Sequence, residues 1–178
     1  MAVSLDDLEP EFRDLVKATL SDCKAAGVDM VPYFTIRTPL VQAKLWRQSR
    51  TTSQIRDKIQ QLRDASADFL ADCVEKAGPQ NGPRVTGAIP GLSWHQWGEA
   101  VDCFWKVNGK AEWSPEVSGS KNGYRIYAHL GTQRGLIAGG YWQSLKDWPH
   151  LQLRQADSPL EAGLSLTKID EIMRERFG

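Results

Sequence analysis

Apolar side chains recur at threes and fours through the first half of the chain. Phe12, Leu15, Val16 and Leu20 share one helical stripe, in a helix that opens with Ser4 and Asp7 at capping-box spacing, runs past Pro10 and stops at Gly27. Residues 31–37 switch to β-branched and aromatic types and predict a strand. Thr38 then supplies an N-cap and Pro39 a first turn for a short helix through Leu40, Lys44 and Leu45. Ile55, Ile59, Leu62, Phe69, Cys73 and Val74 repeat with helical period, which predicts one longer helix over about residues 52–77, closed by Gly78-Pro79 and charged on its other face.

The second half changes character. Gly82, Pro83, Gly87, Pro90 and Gly91 crowd residues 80–92, a density of breakers that predicts a surface loop leading to His95. Residues 100–107 read as a strand, and Asn108-Gly109 is a strong hairpin signal that returns the chain through Ala111, Glu112 and Trp113. A helix over residues 120–135, a turn at Gly139-Gly140, a strand at His150-Leu151-Gln152-Leu153 and a closing helix begun by Thr167 with Asp170 complete the series. Alternation along the strands turns Asp102 and Cys103 to opposite faces. It also puts His150 and Gln152 on one face, with Leu151 and Leu153 in the core. No repeat or linker interrupts the pattern, so a single domain over residues 1–178 is expected.

Composition narrows the function classes. With 178 residues, 41% of them hydrophobic, the chain is long enough for one well-cored domain. Its 22 basic and 22 acidic residues cancel, and no basic stripe interleaves with aromatics, which argues against a nucleic-acid partner. The first residues lack both a positive leader and an apolar core, and no stretch is long enough to span a bilayer. A protein made in the cytoplasm without a signal peptide, and not inserted in a membrane, is therefore expected. Cys23, Cys73 and Cys103 are odd in number and lack C-x-x-C spacing, so they are expected to be buried thiols rather than a disulfide framework or a zinc knot.

The chemistry is concentrated in two segments. Ser93, His95, Gly98, Ala100 and Asp102 form Ser-x-His-x-x-Gly-x-Ala-x-Asp, and Asp147-Trp148-Pro149-His150 follows well downstream. Two imidazoles and one carboxylate can occupy three tetrahedral positions of Zn²⁺ and leave the fourth for a water. The same donors would accept Co²⁺ or Mn²⁺ in vitro. His95 and Asp102 are too far apart for one helical face and of the wrong parity for one strand face, so Gly98 is needed to turn the chain between them. Asp147, in a turn ahead of Trp-Pro, is placed to act as general base and then general acid. Arg37, at a strand end, could bind a substrate carboxylate or a developing oxyanion. His129 reads as an exposed helix residue. Trp94, Trp97, Trp105, Trp142 and Trp148 stand near the motifs, where core packing and the lining of a polymer cleft explain them equally well.

These two motifs closely resemble those of the zinc peptidases of the D-Ala-D-Ala carboxypeptidase and L-alanyl-D-glutamate endopeptidase group, which cut peptidoglycan. Asp-Trp-Pro-His, preceded by Gly139-Gly140 and followed by Leu151-Gln152-Leu153, looks most like the endopeptidase branch, which includes phage endolysins and bacterial wall hydrolases. The likeness also takes in Arg37-Thr38, Gln42, Leu45 and Arg50-Thr51. It implies an α+β fold, related to hedgehog and D,D-peptidase domains, in which helices pack a small antiparallel sheet carrying one Zn²⁺. The implied ligands are His95, Asp102 and His150, with Asp147 as general base, Arg37 as a transition-state or substrate-carboxylate contact and Ser93 as a substrate-binding hydroxyl. The implied substrate is the peptidoglycan stem peptide, cut between L-Ala and D-Glu by a monomer that reaches the wall after holin-mediated release. The alternatives are removal of terminal D-Ala and a non-catalytic zinc domain of the same architecture. One departure stands out: relatives tend to carry Trp-Gly-Gly-Asp-Trp where residues 137–142 here include Ala138 and Tyr141.

Overall fold

The computed structural model describes residues 3–116 and 121–178. Its chain divides into two compact units, Met1–Ile36 with Trp97–Gln155, and Arg37–Gln96 with Ala156–Gly178.

The first unit holds the sheet. The predicted N-terminal helix is divided: Ser4 Oγ accepts from the Asp6 N–H at a 3-10 turn, Leu5–Asp7, and α1 begins afresh at Pro10–Ala25. Pro10 explains the break, because it has no N–H to continue a helix and biases the residue before it towards extended backbone. Strands β1 (Asp29–Phe34), β2 (Ala100–Val107), β3 (Lys110–Glu112), β4 (Ile137–Ala138) and β5 (His150–Gln152) form one sheet in the order β1-β2-β5-β4, with β3 beside β2. Every described pairing is antiparallel. The hairpin falls where Asn108-Gly109 predicts it, both residues having positive φ (50° and 79°). Helix α5 (Gly123–Gln133) is capped by Asn122; residue 120, the expected start, lies outside the described residues. Phe12, Val16, Met30, Val101, Cys103, Tyr124, Tyr127 and Leu151 form the core beneath the sheet. The architecture is thus α+β with a small antiparallel sheet, as expected.

The second unit is helical, with α2 (Pro39–Arg47), α3 (Thr52–Asp64), α4 (Asp68–Lys76) and α6 (Leu166–Phe177). The single helix expected over residues 52–77 is two. Ser66 adopts φ of +53°, and the N–H groups of Ser66 and Ala67 close back on the carbonyls of Arg63 and Leu62, a helix-ending pattern. The turn brings α4 beside α3, where Arg63 meets Asp68, Asp72 and Glu75. Continuous apolar periodicity could not reveal this, since both helices bury residues of the same apolar stripe, Leu62 on α3 and Leu70 and Val74 on α4. The closing helix is capped by Ser165 rather than Thr167, and Asp170 is buried, accepting from the Leu70 N–H at 2.8 Å. Among the described residues no helix is long and apolar enough to cross a membrane.

Candidate metal centre

Asp102 and His150 face each other across β2 and β5, directly opposite in register and on the face away from the core. Opposed residues of an antiparallel pair lie close enough for their side chains to meet, and here His150 Nδ1 is 3.0 Å from Asp102 Oδ1. Both are buried. On the other face of the same strands Cys103 and Leu151 are fully buried in the core, so the period-two expectation holds for both strands. The ladder is extended ahead of β5 by the Cys103 N–H, which donates to the Pro149 carbonyl at 3.0 Å.

His95 comes from a 3-10 turn, Trp94–Trp97, that follows the breaker-rich loop. Gly98, with φ of +73°, then reverses the chain into β2. A Cβ there would come within 3.2 Å of the Glu9 nitrogen and 3.3 Å of the Asp7 carbonyl oxygen, so glycine serves both the conformation and the close approach. His95, like Asp102 and His150, is buried.

The turn that carries His95 is held by side-chain amides. Gln42 Oε1 accepts from Arg37 Nη1 (3.0 Å) and from Gln96 Nε2 (3.2 Å), while Gln42 Nε2 donates to the Ala88 carbonyl (2.7 Å). Gln96 Oε1 in turn accepts from the Gly91 N–H at 2.7 Å, and the Arg37 N–H donates to the His95 carbonyl at 3.3 Å. Gln42 and Gln96 are fully buried, where an unsatisfied amide would be costly. Arg37 thus lies beside the turn, three residues beyond the end of β1. Ser93 is half-buried at the start of the turn, its carbonyl accepting from the Gln96 N–H. Sequence reasoning assigned no role to Gln96; its position inside the His95 motif was the available signal.

Asp147 sits in the turn before β5. Its N–H donates to the Gly139 carbonyl at 3.0 Å and its carbonyl accepts from the His150 N–H at 3.2 Å. Gly139-Gly140, read from sequence as a turn, form the 3-10 turn Gly139–Tyr141 and allow two close approaches. A Cβ on Gly139 would lie 2.5 Å from the Asp147 carbonyl oxygen and 3.0 Å from His150 Cβ, and one on Gly140 would lie 2.3 Å from the Trp148 ring. Trp148 is gripped further by Arg125 and Lys146, 4.9 and 5.9 Å from its ring centre, and by the edge of Tyr141. The Trp142 ring lies tilted against His150, with centroids 5.0 Å apart. Of the residues that depart from the family pattern, Ala138 pairs with Leu151 in the sheet and Tyr141 packs on Trp148. His129 is exposed on α5 and is no part of this group.

Burial opposes a charge on His150, yet the hydrogen bond and charge of Asp102, with contributions from Asp147 and Gln152, outweigh it and hold the imidazole above its ordinary pKa. Two imidazoles and a carboxylate form a donor set suited to zinc. Bonds of 2.0–2.1 Å in a tetrahedral site would space ligand atoms by roughly 3.3 Å, and the 3.0 Å separation of His150 Nδ1 and Asp102 Oδ1 is close to that.

Residues 86–153, which include His95, Asp102, Asp147 and His150, match the family model described as D-alanyl-D-alanine carboxypeptidase. The chain is also 26% identical over 151 residues to the peptidoglycan L-alanyl-D-glutamate endopeptidase CwlK of Bacillus subtilis, covering 83% of this chain and 74% of that protein. Two solved structures show likeness at low identity: the L-Ala D-Glu endopeptidase ChiX of Serratia marcescens (19% identical, TM-score 0.48, 84% of this chain and 83% of that one), and a mutant of the vancomycin resistance D,D-pentapeptidase VanY in complex with Zn(II) (17% identical, TM-score 0.46, 91% and 83%).

Proposed function

We propose that this protein is a metallopeptidase that hydrolyses the stem peptide of peptidoglycan at the bond between L-Ala and D-Glu, using one zinc ion held by His95, Asp102 and His150. The observation that carries the reading is the buried Asp102 facing His150 at 3.0 Å, with Asp147 in the turn three residues ahead of His150, packed closely on Gly139. The choice of bond rests on the similarity to CwlK and on the Asp-Trp-Pro-His form of the second motif.

Zinc bound there would supply Lewis-acid polarisation of the scissile carbonyl and acidify the attacking water. Asp147 takes the proton from that water as its oxygen bonds to the carbonyl carbon, then delivers the proton to the amide nitrogen as the C–N bond breaks. Arg37 contacts either the negative charge that develops on the carbonyl oxygen or a carboxylate of the stem peptide, and its hydrogen bond to Gln42 orients the guanidinium for that task. Ser93 donates its hydroxyl to the bound peptide.

Mass spectrometry of purified muropeptides, incubated with the zinc-loaded protein and with a chelated control, tests the reading. Fragments ending in L-Ala and beginning with D-Glu are expected. Loss of only a terminal D-Ala would instead select carboxypeptidase activity, the description attached to the matching family model, and absence of any cleavage would favour a zinc domain that binds without cutting.

A further inference from the structure

Resting on the stem-peptide reading above, we infer that Tyr33, Phe34, Phe104 and Trp113 form a saccharide subsite, which seats the N-acetylmuramic acid ring that carries the stem peptide.

Strand alternation puts these rings on the face that bears Asp102. Cys103 and Trp105 turn towards the core, so Asp102, Phe104 and Lys106 turn the other way. The register that pairs Lys106 with Ala111, continued by two residues, sets Trp113 opposite Phe104, and their ring centres are 5.7 Å apart. On the other side of β2 the pairing with β1 shifts between Pro32 and Phe34. A bulge of this kind inserts an extra residue and re-aims the side chains beside it. Here it lets two consecutive aromatics join one cluster. Phe34 stands across from Asp102, and the Tyr33 ring meets those of Phe34 (6.3 Å), Phe104 (6.3 Å) and Trp113 (5.3 Å).

The fold makes little use of this cluster. Trp113 is 56% exposed, the other three rings are half-buried, and none of the four belongs to the core beneath the sheet. Contiguous exposed apolar surface of this kind marks a binding site. At its far edge Asp29 and Lys106 pair at 3.8 Å, so the neighbouring charges cancel. An uncharged ligand with one apolar face fits such a surface. A pyranose ring is one: it turns its polarised C–H groups to the electron-rich face of an aromatic and its hydroxyls outward.

Reach selects the sugar. In peptidoglycan the L-Ala nitrogen is acylated by the lactyl group of N-acetylmuramic acid, so one alanine and one residue-sized lactyl unit separate that ring from the scissile carbonyl. Two extended residues span about 7 Å. Asp102 and Phe104, two apart on one strand, are separated by about the same 7 Å. A scissile carbonyl held beside Asp102 therefore sets the sugar over Phe104, with Tyr33 and Trp113 at its sides.

The first test needs no turnover. The disaccharide of N-acetylglucosamine and N-acetylmuramic acid, without stem peptide, is titrated into the protein while the indole ¹H–¹⁵N signals are followed. The Trp113 signal should shift, and affinity should fall roughly 3–10-fold in Trp113→Ala and less in Trp113→Phe. A Trp113 signal that stays fixed in the wild type overturns the inference without any variant. In the muropeptide assay, the ratio of kcat/KM for a disaccharide-linked over a sugar-free stem peptide should drop by the same factor in Trp113→Ala. An unchanged ratio overturns the inference, as does self-association in sedimentation that Trp113→Ala abolishes and the disaccharide does not disturb, since a second copy would then own the surface. Failure to cleave any muropeptide overturns the proposed reaction instead, while the sugar titration reads the subsite by itself.

Discussion

The candidate site residues are held by two different means. Asp102 and His150 stand on strands, and their placement follows from ladder register and period-two alternation, with Leu151 and Cys103 anchoring the opposite face in the core. Arg37, Ser93 and His95 stand on loops and a 3-10 turn, and the contacts that fix this stretch are buried side-chain amides, Gln42 and Gln96, together with glycines. A strand positions a ligand through many weak, repeated backbone bonds. A loop relies on a few polar contacts, each of which is expensive to leave unmade in the interior. Single substitutions should therefore act differently in the two places.

The largest effect is expected from the ligands themselves. Asp102→Ala or His150→Ala should weaken zinc binding by more than the roughly 100-fold upper range of an indirect change, with activity lost alongside. Chelator competition checks this, and near-normal affinity in either variant would break the ligand assignment. Asp147→Asn should retain zinc while muropeptide turnover falls about 10²–10⁴-fold. A variant that turned over normally would remove Asp147 from the chemistry.

Glycine substitutions sharpen the contrast. Gly139→Ala pushes a methyl group to 2.5 Å from the Asp147 carbonyl oxygen and should cost about 1–3 kcal/mol, lowering both Tm and turnover. Gly135→Ala places its methyl group in open space at a φ of +83°, so it should lower Tm alone; thermal unfolding and the muropeptide assay together separate the two. Gln42→Ala removes the acceptor shared by Arg37 and Gln96 and should cost about 1–3 kcal/mol in urea unfolding. A negligible cost would mean that the amide network does not hold the His95 turn. The smallest effect concerns the thiols. Burial pushes Cys23 and Cys73 up to about 11 and Cys103 further still. At pH 8 all three therefore remain protonated, and the folded protein should react only slowly with a thiol reagent that labels all three after unfolding.

Much of this was legible in residue order. Strand β2 and its Asn-Gly hairpin, the N-cap Thr38, and the shared face of His150 and Gln152 follow from local rules with periods of two to four residues. The break between α3 and α4 was not, because a left-handed Ser66 leaves the apolar period on either side intact. Asp170, spaced as an ordinary first-turn residue, proved to be buried against the backbone of a helix distant in sequence.

Local sequence determined which residue types sit on which face of each element, because alternation and helical repeat need only neighbouring side chains. It also set out the donor chemistry, two histidines with carboxylates, and with it the resemblance to the family. Tertiary structure alone decided that Asp102 and His150 are opposed at 3.0 Å, that Gly139 is needed to admit the Asp147 turn, and that the ends of Gln152 are committed to Arg154 and His150. The first of those facts depends on strand register between residues 48 apart, and the others on how a turn and a strand end bring near neighbours together. A sequence lists hydrogen-bond donors and acceptors without their partners, and only the folded chain brings a particular pair within reach.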